Sequence, residues 1–252
     1  MGTERLRGAS IALGALALVA VGTGIAMAAS SDPARPASLN GGVVVVQAEP
    51  SAVPAPAAGA GSGATNPYQP APEWLDATAR STGIPARALS AYAGAQLRLA
   101  EEQPGCRVGW NTLAGIGWVE SGHGAADETV LGADGRSVPA VRGPALDGTT
   151  FAAIRDTDGG ALDGDTAWDR AVGPLQFIPS TWERWGADGD GDGTADPDQI
   201  DDAALAAARY LCHSGNLSVA DTWRRAVFSY NHSDDYVAAV ATHANTYASR
   251  AR

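Results

Sequence analysis

Three short stretches of the chain carry side chains suited to acid–base chemistry and to amide recognition. The first is Trp110–Ser121, where Leu113, Ile116, Gly117 and Glu120 recur at helical spacing and share one face. That face is apolar until it reaches Glu120. A carboxyl there, beside Trp118 and glycines, is partly desolvated, which disfavours the anion and raises the pKa as a general acid at neutral pH requires. Only eight Glu occur, and others such as Glu101 and Glu102 sit in solvated settings; an ordinary helix-end glutamate is the plain alternative. The second stretch is Ala171–Trp182, where Gln176 is a lone amide between Gly173 and Pro179. A buried amide must have its hydrogen bonds met, by backbone or by a ligand's amide and hydroxyl groups. A core glutamine tying two loops together is the alternative, and Trp182 with Trp185 reads as core. The third is Phe228–His232. Tyr230 and Asn231 could present a hydroxyl and an amide, or could equally pack and terminate a helix, while His232 caps or faces solvent.

A fourth stretch, Asp188-Gly189-Asp190-Gly191-Asp192-Gly193-Thr194, has carboxylates at positions 1, 3 and 5 and glycine at 6. That is the opening of an EF-hand-like calcium loop, in which hard oxygens surround a hard cation. Position 12 is Gln199, which cannot supply the usual bidentate carboxylate. An acidic, solvated turn that packs without metal is the alternative.

The elements that must position these groups read as mainly helical. Pro85 suits a first helical position and the pattern runs on to Glu102, where Pro104-Gly105 stops it. Trp110–Ser121 is a second helix, closed by Gly122 and Gly124. Residues 124–172 are rich in Asp, Gly and Thr and predict a long irregular excursion, the kind of loop that forms the wall of a groove. Helices resume after Pro179, with Ser180 as the expected cap of Thr181–Trp185, then at Asp202–Cys212, Ser218–Tyr230 and from Asp234 or Asp235 to Ser249. Strand-like alternation is almost absent.

Composition bounds the rest. Arg5 and Arg7 precede an uncharged apolar run, Ile11–Ala28, ending in the small-residue triplet Ala26-Met27-Ala28. Residues 1–28 therefore read as a secretion signal or an uncleaved membrane anchor, and the protein is expected to be exported. Residues 29–66, mostly Ala, Pro, Gly, Ser and Val, read as a linker. All seven Trp, all six Tyr and both Cys lie beyond it, so residues 67–252 form the one folded domain. Net charge is −11, with 17 basic residues that are all Arg, which argues against nucleic acid and anionic lipid as ligands. Cys106 and Cys212, in an exported chain, most simply form one disulfide; two buried free thiols are the alternative.

Glu120-Ser121, the Gly173–Phe177 run with Pro179, and Tyr230-Asn231 together resemble, in order and rough spacing, a lytic transglycosylase domain of the goose-lysozyme type. The segment Asp163–Arg170 leading into Ala171–Trp182 is similar to the membrane-bound lytic transglycosylase B branch in its actinobacterial form. The resemblance spans residues 72 to 248. It implies a mainly α, lysozyme-like domain with long irregular loops and an EF-hand-like loop. It assigns Glu120 the role of single catalytic acid/base, Ser121 that of helping to position it, and Gln176, Phe177, Tyr230 and Asn231 those of substrate-binding groove residues. Many members carry Met where this chain has Leu175, a volume-conserving change. The resemblance further implies structural calcium held by Asp188, Asp190, Asp192, the Thr194 carbonyl and a late-closing Asp202, with no organic cofactor. The implied activity is cleavage of the MurNAc-β-1,4-GlcNAc bond of peptidoglycan with 1,6-anhydro ends, by a monomer that remodels the cell wall. Its rivals are a muramidase that uses water, with Asp127 or an Asp of the 147–169 loop as base, and a non-catalytic peptidoglycan-binding protein.

Overall fold

The computed structural model describes residues 52–55, 66–126 and 128–252; the apolar run, most of the expected linker and Asp127 lie outside the described residues. Among the described residues seven helices dominate: α1 (Pro72–Thr82), α2 (Ala86–Glu102), α3 (Trp110–Ser121), α4 (Pro179–Trp185), α5 (Ile200–Cys212), α6 (Ala220–Tyr230) and α7 (Asp234–Arg250). The expected mainly α fold is what the chain adopts. Among the described residues no helix is long and apolar enough to cross a membrane.

At the centre lies α3. Every residue from Trp110 to Gly117 is buried, so the helix is surrounded rather than laid on a surface, and an apolar helix with no polar face is the kind that fits there. It packs mainly on α7 and α2, while α2 also packs on α5. Gly117 is needed for this: a β-carbon there would collide with the Tyr92 hydroxyl of α2 and press on Leu175. Small residues dominate α5 as well, where Ala203, Ala204, Ala206, Ala207 and Ala208 are all fully buried. Their lack of side-chain bulk lets the helices close together at interior packing density.

The helix ends correct several sequence expectations. Pro85 is the cap of α2 rather than its first residue. Ser180 caps nothing: α4 begins at Pro179, with Ile178 at the cap position and no side-chain bond, because a proline at the first turn needs no acceptor for a missing N–H. The helix expected from Asp202 starts at Ile200, where the Gln199 side chain accepts from the N–H groups of Asp201 and Asp202. Helix α1 is not among the expected elements, although Pro72 and Glu73 in its first turn and Gly83 at its end are helix start and stop signals. Its cap residue, Ala71, hydrogen-bonds Pro54, and Val53 beside it is buried in the main core, so residues 52–55 lie against the domain.

The 124–172 excursion is irregular, as its composition predicts, yet it holds short strands. β1 (Val130–Leu131) pairs antiparallel with β2 (Ser137–Val138), and β3 (Arg142–Ala145) with β4 (Arg170–Val172) through an irregular register. A satellite core of Leu146 and Ile178, covered by Phe151, Ala152 and Ile154, anchors the long loop. Aspartates do the rest: Asp156 accepts from the N–H groups of Asp158, Gly159 and Gly160, and buried Asp169 accepts from Thr157. Cys106 and Cys212 form a disulfide, 106 residues apart in sequence. It ties the turn after α2 to the end of α5.

Candidate functional site

Glu120 stands in the last turn of α3, half-buried where the helix ends. Its Oε1 accepts a 2.6 Å hydrogen bond from the Tyr236 hydroxyl. Burial pushes the carboxyl up to about 8, and the Tyr236 hydroxyl draws it partly back. The raised value follows from the cost of an anion in a poorly solvated place with no cation beside it. A carboxyl of this kind is protonated at neutral pH and is able to give up its proton.

Tyr236 is the functional residue that sequence reasoning missed. Its place is set by local chemistry, since the Ser233 hydroxyl accepts from the Tyr236 N–H and caps α7. That puts the tyrosine in the first turn of α7, buried, with its hydroxyl on Glu120. The signal was available: a serine three residues before a tyrosine, at the start of a predicted helix.

Opposite stands the turn Gly173-Pro174-Leu175-Gln176, closed by paired bonds between Val172 and Phe177. Each of its first three carbonyls is held. Gly173 O accepts from the Gln176 backbone and from Gln176 Nε2. Pro174 O accepts from the Ser121 hydroxyl at 2.6 Å, and Leu175 O from the Tyr230 hydroxyl at 2.8 Å. Ser121 and Tyr230 are thus brought to the site, but as buried clamps whose hydroxyl groups are spent on the turn. Ser121 is the tighter link, because its oxygen also accepts from the Gly124 N–H. It joins the helix that carries Glu120 to the turn that carries Gln176.

Gln176 itself is held at φ 50°, a left-handed backbone that non-glycine residues seldom adopt. Strain of this sort persists where the surroundings over-determine it, and three clamped carbonyls do so here. Its Oε1 faces Gly143 and has no hydrogen bond among the described residues, which leaves it open to a ligand's N–H or O–H. Gly173 makes the turn possible. It has φ 74°, and a β-carbon there would run into the Pro197 carbonyl. Phe177 is fully buried and stacks edge-on against Trp182 and Tyr230, supporting the turn from below. Asn231 ends α6, 8 % exposed, and its side-chain amide has no partner among the described residues. Trp182 is buried core, whereas exposed His232 stacks on Phe228.

The acidic loop sits directly behind that turn. Carboxylate oxygens of Asp188, Asp190 and Asp202 lie within 4.8 Å of one another, with Asp202 buried. Burial pushes the Asp202 carboxyl up to about 6 and raises that of Asp190. Asp192 stands outside this group, exposed, and accepts from the Thr194 N–H. Gln199 points inward as the cap of α5 and donates to Asp190. An all-oxygen set with one desolvated carboxylate suits a hard divalent cation. A second group, Asp156, Asp158 and Asp169, also lies within that spacing, and in both groups the carboxylates accept loop hydrogen bonds.

The sequence profile of the transglycosylase SLT domain matches residues 64–227 of the chain. Comparison with curated proteins and with solved structures found no match.

Proposed function

The chain belongs to the transglycosylase SLT-domain family, and from that premise we propose that it is an exported lytic transglycosylase with Glu120 as its only acid/base. Family membership makes it a lyase-type enzyme acting on peptidoglycan, with a lysozyme-like catalytic domain. The finer reading, a 1,6-anhydro product made in cell-wall remodelling by a member of the B-type actinobacterial branch, is supported above all by one observation. Glu120 is a half-buried carboxyl raised to about 8, and Gln176, whose Oε1 has no partner among the described residues, sits on a turn fastened to the same helix end through Ser121.

Protonated Glu120 donates its proton to the glycosidic oxygen between N-acetylmuramic acid and N-acetylglucosamine, and the C1–O bond breaks. The 2-acetamido oxygen of the muramoyl residue stabilises the charge at C1, which is why one carboxyl suffices where most glycosidases need two. Glu120, now ionised, takes the proton from that sugar's own 6-hydroxyl as the O6–C1 bond forms. The carboxyl returns to its starting state and no water is consumed. Intramolecular attack carries a very high effective molarity. Tyr236 holds the carboxyl in place, and its hydrogen bond strengthens when Glu120 becomes an anion. Gln176 Oε1 and the Asn231 amide face the sugar acetamido and hydroxyl groups, while Ser121, Phe177 and Tyr230 hold the turn from behind.

Asp188, Asp190 and Asp202 would hold a calcium ion, with Asp192 and the Thr194 carbonyl as further oxygen donors. The ion would neutralise the mutual repulsion of the carboxylates and hold the loop against Gly173. Export rests on residues 1–28, which serve as signal or anchor. Mass spectrometry of fragments released from peptidoglycan tests the reading. Anhydro ends that vanish with Glu120→Gln support it, whereas reducing ends carrying one added water identify a muramidase.

A further inference from the structure

Directly after Glu120 and Ser121 the chain makes three consecutive left-handed residues, Gly122, His123 and Gly124, with φ 57°, 67° and 75°. The outer two are glycines, for which this backbone is unstrained. The middle one is a histidine, for which it costs about 1 kcal/mol or more. A helix stop needs only glycine or asparagine here, so the imidazole ring is what the position uses. That ring is 2 % exposed. Its Nδ1 lies 3.1 Å from the Tyr92 hydroxyl of α2, and its Nε2 lies 3.1 Å from the Tyr247 hydroxyl of α7. Trp118 stacks at a tilt against the same ring.

This spine bears on the catalytic carboxyl from two sides. Helix α7 carries Tyr247 at one end and Tyr236, the partner of Glu120, at the other. Helix α3 is therefore fastened to α7 at two points that straddle its last turn. Tyr92 touches α3 at Gly117, one turn before Glu120 on the same face. A shift of His123 rotates the last turn of α3 and changes how deeply Glu120 sits.

We propose that His123 is a positioning residue for the Glu120 carboxyl, acting through the hydrogen-bonded spine Tyr92–His123–Tyr247 that fixes the end of α3 against α2 and α7. The inference rests on the reading of Glu120 as acid/base. The groups around the ring are Tyr92, Tyr247, His243 and Trp118. Burial and the neighbouring His243 press the His123 pKa down to about 3, and burial raises both tyrosines above their ordinary value. The spine keeps one protonation state across the working range, so the alkaline limb of the rate profile belongs to Glu120.

Rate against pH on solubilised glycan strands, with the full chain, tests this. Two variants disturb the spine gently: Tyr247→Phe removes one hydroxyl, and His123→Asn keeps a side chain that tolerates the left-handed backbone. Tyr247→Phe is expected to lower kcat about fivefold and His123→Asn about tenfold, with KM unchanged, the loss of one or two hydrogen bonds. In both, the alkaline limb moves to lower pH, because a loosened Glu120 reaches water and its anion is relieved. The double variant falls about tenfold rather than fiftyfold, since both changes break one network. Leu99→Val, in the core away from Glu120, serves as a match for lost stability. Variants that melt earlier, as Leu99→Val does, yet keep the parent kcat and alkaline limb would overturn the proposal. Glu120→Gln run alongside separates the two ideas: activity in that variant defeats the catalytic reading, and inactivity there with unaltered spine variants defeats this one alone.

Discussion

The two walls of the site are built from different physics. Glu120 and Tyr236 come from α3 and α7, helices packed against each other through the centre of the core. Gln176 comes from a tight turn that is clamped to α3 and α6 by Ser121 and Tyr230 and backed by loops, namely the Pro197 carbonyl behind Gly173 and the Arg142–Asp198 ion pair beside it. The helical wall is held by burial and by few polar contacts. The turn of the loop wall is buried too, but the loops behind it are held mostly by polar contacts, with aspartates of the 156–169 and 188–202 segments capping backbone N–H groups. A proton donor needs a dry, fixed setting, which the helices supply. A turn held at a left-handed glutamine needs its backbone pinned, so it is fixed by hydrogen bonds to its carbonyls and, on our reading, by a cation behind it.

Five expected outcomes press on that contrast. Glu120→Gln keeps the shape of both walls and removes the proton; strand cleavage falls about 10³-fold or more while binding in a pull-down with insoluble peptidoglycan persists. Gly173→Ala strikes the loop wall alone. The added β-carbon meets the Pro197 backbone at a left-handed φ, so calorimetry should show the melting temperature falling by about 10 °C, with substrate binding weakened. Tyr236→Phe strikes the helical wall alone. It lowers kcat about tenfold, and the alkaline limb moves to higher pH because the bond that favours the anion is gone, the reverse of the shift expected for the spine variants.

The smaller effects concern stability. Chelation should lower the melting temperature by about 5 °C, restored by added calcium, since a ligand that binds only the folded state stabilises it; an unchanged melt would remove calcium from the loop wall. For Glu120 the sign runs against stability at high pH. Its folded pKa of about 8 lies above the ordinary carboxylate value, so the folded state binds the proton more tightly, an advantage present at acid pH and lost as pH rises through 8. Glu120→Gln lacks that loss. Its melting temperature should exceed the parent's at pH 9, and the difference should shrink as pH falls from 8 and close at the ordinary carboxylate value.

The same division explains what the sequence made legible. Helical spacing placed Glu120 at the end of an apolar face, and α3 ends where Gly122 said it would, because helix periodicity and glycine stops are local signals. The Gln176 turn was visible as a motif, but the division of labour within it was not. Phe177 and Tyr230 read as groove residues and Ser121 as a residue that positions Glu120; all three stand as buried supports of the turn, since a sequence shows which residues gather but not which way a hydroxyl points. Tyr236 and His123 were missed for a related reason. Tyr236 reaches Glu120 across 116 residues, and His123, although next to α3, is tied to partners 31 and 124 residues away; a cap signal marks where Tyr236 starts a helix, but no periodicity encodes these contacts. The acidic loop was legible at Asp188 and Asp190 by spacing, while Asp202 followed from the family resemblance and Gln199 proved to be a helix cap.

The claim beneath all of this is that Glu120 stays protonated at neutral pH because its surroundings exclude water. Carbon-detected NMR of the side-chain carboxyl, assigned by comparison with Glu120→Gln, measures it directly. The account predicts a titration centred near 8; a midpoint in the ordinary carboxylate range would contradict it.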